Sequence, residues 1–243
     1  MTDVVARRVG VDAARDERAA ATAILPEASG VATSFGKRLL DIAVASVALL
    51  VFLPLLITVG VMIRVESGGP AVFRQRRTGH RGRIFTIYKF RTMTVAEDCA
   101  DVRQATRGDA RVTPLGAVLR KLSIDELPQF LNVLKGDMSL VGPRPLLVEY
   151  LPLYSPEQAR RHEVRPGLTG SAQVEGRNLV DWPERFAMDV AYVDTWTLAG
   201  DLRIIWKTLA AVVHRTGVQA TGEVTMTPFT GNAPTDGTEG GEA

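Results

Sequence analysis

A mostly helical protein with a small β component, held at a membrane through one N-terminal helix, is the fold class this 243-residue sequence predicts. Three observations carry the prediction. Ile42 to Ile63 is an uncharged apolar run. Val72 to Tyr88 holds two short apolar strands around a glycine-rich turn. Beyond Thr113, helical segments follow one another, each with a recognisable cap and an apolar face. The organisation expected is a disordered leader over 1–36, a membrane helix over 37–66, a cytosolic domain over 67–215 and a disordered tail over 216–243.

The run IAVASVALLVFLPLLITVGVMI is about 22 residues long, enough for a helix to cross the roughly 30 Å hydrocarbon core. It is too long, too late and too poorly led for a signal peptide. Its length also argues against a helix buried in a soluble core. Pro54 near its middle removes the hydrogen bond to the Leu50 carbonyl and crowds that oxygen, which predicts a bend. Lys37 and Arg38 precede the run and Arg64 follows it. A spanning helix places one basic flank outside, whereas a re-entrant hairpin keeps both on the cytosolic side, and the charge favours the latter. Phe35 and Ser67 are then both cytosolic. Asp41 is expected to pair with Lys37 or Arg38 among the headgroups.

The formal charge of +2 conceals a basic segment. Arg64, Arg74, Arg76, Arg77, Arg81, Arg83, Lys89 and Arg91 face only Glu66, a net charge of +7 between Arg64 and Arg91. Beside a membrane element, membrane lipids and phosphates are the partners such a cluster suits. No nucleic acid is expected, because aromatic residues make up only 6% of the chain and stacking platforms are scarce. Cys99 is the single cysteine, so neither an intramolecular disulfide nor a cysteine metal site forms. The polar stretch around Glu97, Asp98 and Asp101 reads as helix or loop.

Val72 and Phe73, then Gly79 and Gly82, then Ile84, Phe85, Ile87 and Tyr88 predict a hairpin. Thr113 and Pro114 start a helix with Leu115, Val118, Leu119 and Leu122 at helical spacing. A second helix sets Leu127, Phe130, Leu131 and Leu134 on its apolar side and ends at Gly136. Ser155, Pro156 and Gln158 fit a capping box. Asp181 and Pro183 open a helix carrying Phe186, Val190 and Val193. A last helix from about Asp201 has Leu202, Ile205, Trp206, Leu209 and Val212 on one face, suited either to a bilayer interface or to the domain core.

Within KLSIDELPQFLNVLKGDMSLVGPRP, Asp125 and Glu126 are adjacent carboxylates. Ser123 and Glu126 have capping-box spacing, while Pro128 favours a helix that begins near Leu127 with the pair just ahead of it. In either register the positive helix end favours ionised carboxylates. Capping is the structural reading of such a pair. Phosphate chemistry is the functional one, because nearby arginines and a carboxylate able to hold Mg2+ supply charge neutralisation and a nucleophile. Arg144 is fixed between two prolines, and Gly167 and Gly170 allow a close backbone approach. His80, His162 and His214 are scattered and read as surface or packing residues.

KRLLD, the proline-broken apolar run, YKFRTM, LSIDELPQFLNVLKGDMSLVGPRP and RPGLTGSAQV, in that order, resemble the bacterial sugar transferase family, the monotopic polyprenol-phosphate phosphoglycosyl transferases. The resemblance runs from about Lys37 to Val213. It implies an α/β, mostly helical fold, with one re-entrant membrane helix and a small cytosolic catalytic domain bearing interfacial amphipathic helices. The implied reaction moves a sugar 1-phosphate from a nucleotide diphosphate sugar, usually a UDP-sugar, to undecaprenyl phosphate, with Mg2+ as cofactor and UMP as product. The implied location is the bacterial inner membrane with the catalytic domain in the cytosol, at the first membrane step of exopolysaccharide or other glycoconjugate synthesis.

By position in the family motifs, Asp125 matches the nucleophile and Glu126 its magnesium-binding partner. Arg144 and Arg165 match arginines of the phosphate and nucleotide-sugar site, and Lys89, Arg91, Arg120 and Asp189 are further substrate-binding candidates. Leu53 stands before Pro54 where some members have serine, so here the membrane break rests on Pro54 alone. A covalent intermediate lets the lipid phosphate and the nucleotide sugar use one pocket in turn, with ping-pong kinetics. The alternative from another class is a catalytically silent adaptor that binds anionic lipids or nucleotides through the basic face. No residue in these motifs reads a hexose hydroxyl, so sugar and oligomeric state stay open.

Overall fold

The computed structural model describes residues 34–94, 109–176, 180–214 and 228–232. The leader as far as residue 33, the stretch around Glu97 and Cys99, and most of the expected tail lie outside the described residues. Helix α1, Phe35–Ser67, takes in the whole apolar run with Pro54 inside it. Ser34 caps it and Gly68 ends it in a left-handed conformation. The helix is long and apolar enough to cross a membrane. Residues 50 to 55 are all exposed, more than a full turn, so no face of that stretch rests on protein.

Both ends of α1 nonetheless pack on the folded domain. At the start, Ala45 joins a core made with Val133, Met138, Leu140, Val141 and Tyr192. Near the finish, Val59 and Ile63 pack with Phe90 and Leu119.

The expected pairing of Asp41 with Lys37 or Arg38 does not form. Asp41 Oδ1 accepts from Ser139 Oγ at 3.0 Å and from the Leu140 amide at 2.9 Å. Lys37 Nζ reaches Asp201 Oδ2 at 2.6 Å, and Arg38 donates to the carbonyls of Val133 and Leu134. The reason is saturation. Buried polar groups take whatever fixed partners the domain presents, and KRLLD meets unsatisfied carbonyls and amides there before it meets itself. The motif is a plug into the domain, not a headgroup pair.

The hairpin is β1, Val72–Thr78, antiparallel to β2, Ile84–Phe90, in register from Val72 opposite Phe90 to Thr78 opposite Ile84. Helix α2, Pro114–Lys121, is capped by Thr113, whose hydroxyl accepts from the Gly116 amide at 2.9 Å. Only Leu119 of its apolar residues is deeply buried, while Val118 and Leu122 are exposed. A 3₁₀ turn over Ile124–Gln129 leads into α3, Phe130–Lys135, which ends on left-handed Gly136 as expected. Leu131, assigned to the buried side of α3, is exposed.

The sequence showed no second sheet, yet β3, Ser139–Val141, pairs in parallel with β4, Gly167–Thr169. Three-residue strands carry too little periodicity to be read. A Cβ on Gly142 would lie 2.4 Å from the Arg165 carbonyl, and one on Gly170 would lie 2.3 Å from the Gly142 carbonyl. These glycines bring two backbones together, and that accounts for them without a phosphate. Between the strands run 3₁₀ turns over Val148–Leu153 and Arg160–Glu163 and the short α4, Pro156–Ala159, with the predicted Ser155–Gln158 capping box complete. Helix α5, Trp182–Asp194, is capped by Asp181 and buries Phe186, Val190 and Val193. Helix α6, Leu198–His214, turns Leu202, Trp206, Leu209 and Val212 outward, Trp206 being 72% exposed, while Ile205, expected on the same face, packs on the core with Ile204.

Candidate active site

Local chain chemistry sets the position of the two carboxylates. An α-turn opening at Ile124 needs an N–H from residue 128 to reach the Ile124 carbonyl, and Pro128 has none. The chain therefore winds as a 3₁₀ turn through Gln129, and the α-helix starts at Phe130, later than either register expected from sequence. Ser123 takes left-handed angles (φ 56°, ψ 18°) and makes no capping bond with its side chain, so the predicted Ser123–Glu126 capping box is absent. The sharp turn at Ser123 ends α2 and directs Asp125 inward, where it is 9% exposed.

The pair is electrostatically split. Glu126 Oε1 accepts from Lys89 Nζ at 2.6 Å and from Arg144 Nη2 at 2.9 Å. Burial raises its acidity constant's pKa, but Arg144 and Lys89 overcome that and hold the carboxyl well below the usual range. Glu126 in turn raises the pKa of Arg144. Asp125 has no hydrogen-bond donor among the described residues. Its pKa is pushed up to about 6, first by burial and then by the neighbouring Glu126 charge, against the pull of Lys89, Arg120 and Arg144. The expected effect of a helix end is not what sets either group: Arg144 and Lys89 keep Glu126 ionised, and desolvation raises Asp125. Two adjacent carboxylates with opposite shifts mark a site where the roles are divided.

Three predicted residues converge on the pair. Lys89 arrives from β2 and Arg144 from the loop after β3, and both bond Glu126. Arg120, at the end of α2, has its Nε held by Thr92 Oγ1 at 2.8 Å and adds its charge near Asp125. The other three are placed elsewhere. Arg91 is buried at the end of α1, where its Nη2 bonds Ser67 Oγ and the Gly68 carbonyl, so it fastens the membrane helix to the hairpin. Arg165 gives its Nε to the Gly136 carbonyl at 3.1 Å, at the end of α3. Asp189 is 3% exposed and ion-paired with Arg161 at 2.7 Å, which gives it a structural partner rather than an open face.

Arg161 is the residue sequence reasoning missed. It is 3% exposed, and its Nη2 donates to the Arg144 carbonyl at 2.8 Å. Asp189 holds Arg161, Arg161 holds the Arg144 backbone, and Arg144 holds Glu126. Asn132 is a second omission. Its amide accepts from the Tyr88 N–H at 3.1 Å and donates to the Thr86 carbonyl at 2.7 Å, closing the open edge of β2 and locking α3 to the strand that carries Lys89. An asparagine inside a helix of apolar residues was the available signal.

For a metal ion, the described residues contain no group of three or more ligating side chains. Glu126 Oε2 and both Asp125 oxygens accept no hydrogen bond there. Hard oxygens in small number, completed by phosphate oxygens, suit Mg2+. Three cations surround the pair, so a divalent ion fits only together with an anionic ligand.

Two adjacent carboxylates among Lys89, Arg120 and Arg144, next to a long apolar helix whose middle is exposed, have the charge to receive an anionic substrate at a membrane-associated site. Residues 32–215 match the family model described as bacterial sugar transferase, and the chain belongs to that family. It is 48% identical over 196 residues to the uncharacterized sugar transferase EpsL of Bacillus subtilis (strain 168), covering 81% of this chain and 96% of that one. It is likewise 48% identical over 191 residues to the UDP-glucose:undecaprenyl-phosphate glucose-1-phosphate transferase of Caulobacter vibrioides, covering 75% and 72%. A UDP-N-acetylgalactosamine-undecaprenyl-phosphate N-acetylgalactosaminephosphotransferase from Aeromonas hydrophila is 42% identical over 192 residues, 76% of this chain and 45% of that protein.

Proposed function

We propose that the protein transfers a sugar 1-phosphate from a UDP-sugar to undecaprenyl phosphate, releasing UMP, through a phosphosugar ester on Asp125. The observation that carries this reading is the split pair: Asp125 is buried with no hydrogen-bond donor among the described residues, beside a Glu126 held by two cations. A nucleophile needs free lone pairs, and hydrogen bonds would blunt them. An Asp125 carboxylate oxygen attacks the β-phosphorus, forming the Asp–O–P bond as the bond to the bridging oxygen breaks, and UMP leaves with that electron pair. An oxygen of the lipid phosphate then attacks the same phosphorus, and Asp125 leaves as the carboxylate. Arg144, Lys89 and Arg120 neutralise the oxygens on which charge gathers.

Mg2+, when bound, shields the diphosphate, and Glu126 Oε2 and Asp125 are the oxygens that would hold it. The surrounding cations make this ion a companion of the nucleotide sugar. Calorimetry should therefore show Mg2+ uptake by the protein with donor present and none with the protein alone.

The membrane helix supports a re-entrant topology. Its two ends pack on one domain while residues 50–55 stand free, and Pro54 lies in the free part. A re-entrant helix accounts for both ends packing on one domain. Cysteines placed at Phe35 and Ser67 should both label from the cytosolic side, and external labelling at Phe35 would reject this topology. The outward face of α6 and exposed Val118, Leu122 and Leu131 add an apolar surface suited to the inner leaflet, with the domain in the cytosol. The relatives' names differ in the sugar, so a panel of UDP-sugars in a membrane preparation is the functional test. UMP release that depends on undecaprenyl phosphate is expected, with an acid limb near pH 6 in kcat/KM from Asp125. Unchanged release by Asp125→Asn would remove the assigned nucleophile.

A further inference from the structure

We infer that residues 228–232, expected from composition to be disordered tail, are a positioning element for Arg144 that acts through Tyr154 and Arg161; this rests on the reading of Arg144 as a phosphate contact. Phe229 is 6% exposed and sits in an aromatic cluster. Its ring stacks on Tyr154 (centroids 5.9 Å, 19°) and meets Phe186 edge-on at 5.0 Å, with Tyr150 and Trp182 at 5.7 and 5.5 Å. Asn232 fixes the segment a second time. Its Oδ1 accepts from Gln158 Nε2 at 2.7 Å, and its Nδ2 donates to the Leu153 carbonyl at 3.3 Å. Gly231 between them has φ 102°, which a residue with a Cβ adopts only with strain.

The contacts of this segment have a direction. Phe229 touches Tyr150, Tyr154 and the α5 residues Trp182 and Phe186, in a cluster distinct from those that hold Ala45, Val59 and Ile63 of α1, and Asn232 bonds Leu153 and Gln158 beside it. Tyr154 bears Phe229 against its ring and has the Arg161 guanidinium 5.8 Å from its centroid, while its hydroxyl accepts from Arg161 Nη1 at 3.4 Å. Phe186, the other neighbour of Phe229, lies 5.6 Å from the same guanidinium. Arg161 Nη2 then holds the Arg144 carbonyl. Phe229 thus completes the wall behind Arg161, and its removal should loosen the arginine arm of the site while leaving the Asp125 turn and the Lys89 strand in place.

Hydrogen exchange on the full-length chain and on Phe229→Ala is the test, with Asn232→Ala as a milder second variant that leaves the rings untouched. Phe229→Ala should speed exchange roughly tenfold over 142–147 and 160–164 and leave 84–90, the strand that carries Lys89, unchanged. Asn232→Ala should give a smaller rise in the same segments. In a UMP-release assay Phe229→Ala should raise KM for the nucleotide sugar, because a displaced Arg144 no longer meets its phosphates. Unchanged exchange at 142–147, or a rise that spreads equally over 84–90, would overturn the inference. If the full-length chain releases no UMP, the enzymatic reading fails, and the exchange experiment still decides whether the tail positions Arg144.

Discussion

Two buried charge centres in this protein look alike in composition and behave as opposites. At the root of the membrane helix, Asp201 accepts from Lys37, Tyr192 and Trp196, and nearby Asp41 accepts from Ser139 and Leu140. At the candidate active site, Asp125 has no hydrogen-bond donor among the described residues, and its neighbour Glu126 concentrates two cations on one oxygen. Saturation is what an anchor needs, since an unmatched buried charge there is paid for in stability. Unsaturation is what a nucleophile needs, and the fold tolerates it at Asp125, whose proton affinity is raised by burial and by the Glu126 charge.

Substitutions can break this contrast from either side. The largest effect is expected from Asp125→Asn, which should lower UMP release by at least about a thousandfold, since the other carboxylate beside the cations, Glu126, is ion-paired to Lys89 and Arg144 and is the weaker nucleophile. At the anchor, Lys37→Met leaves Asp201 buried beside neutral donors only. It should cost about 3–5 kcal/mol in chemical denaturation, the penalty of halving a buried pair.

Asp125→Asn should also act on stability, in the opposite direction. The folded pKa of Asp125, about 6, lies above its ordinary value, so ionising it disfavours the folded state. That cost is absent below about pH 4, grows as pH rises towards 6 and is complete above it. The variant should therefore be more stable than the parent by about 1–3 kcal/mol at pH 7.5, with the gain vanishing near pH 4. A pH series of urea melts checks this, and a loss of stability at pH 7.5 would show Asp125 to be saturated after all. The smallest effect belongs to Ser123→Gly. Relief of the left-handed serine should contribute about 0.5–1 kcal/mol, readable as a raised midpoint with unchanged m.

Local signals in the sequence survived folding. The hairpin, the Thr113, Ser155 and Asp181 caps and the Gly136 stop all depend on residues a few positions apart. Pairings across the chain were illegible. Lys37 with Asp201, Arg161 with Asp189 and Arg91 with Gly68 join distant segments, and a basic side chain in a sequence does not announce which carbonyl or carboxylate it will meet. Hence the bonds of Arg91 to the Gly68 carbonyl and of Arg165 to the Gly136 carbonyl, both at helix ends, were not foreseen, and Arg161 was passed over. Asp125 and Glu126 were found because a long ordered set of motifs surrounds them. Spacing alone suggested a capping box, which Pro128 and the turn at Ser123 prevent.

The central claim, that Asp125 is kept unpaired to form a covalent bond, is tested most directly by trapping that bond. The purified protein is mixed with a turned-over UDP-sugar and Mg2+ without lipid acceptor, then digested and weighed by mass spectrometry. The account predicts about one UMP released per active site and a phosphosugar mass on the peptide carrying Asp125, discharged by undecaprenyl phosphate and absent from Asp125→Asn. Turnover that proceeds without any such adduct, or an adduct that persists in Asp125→Asn, would contradict it.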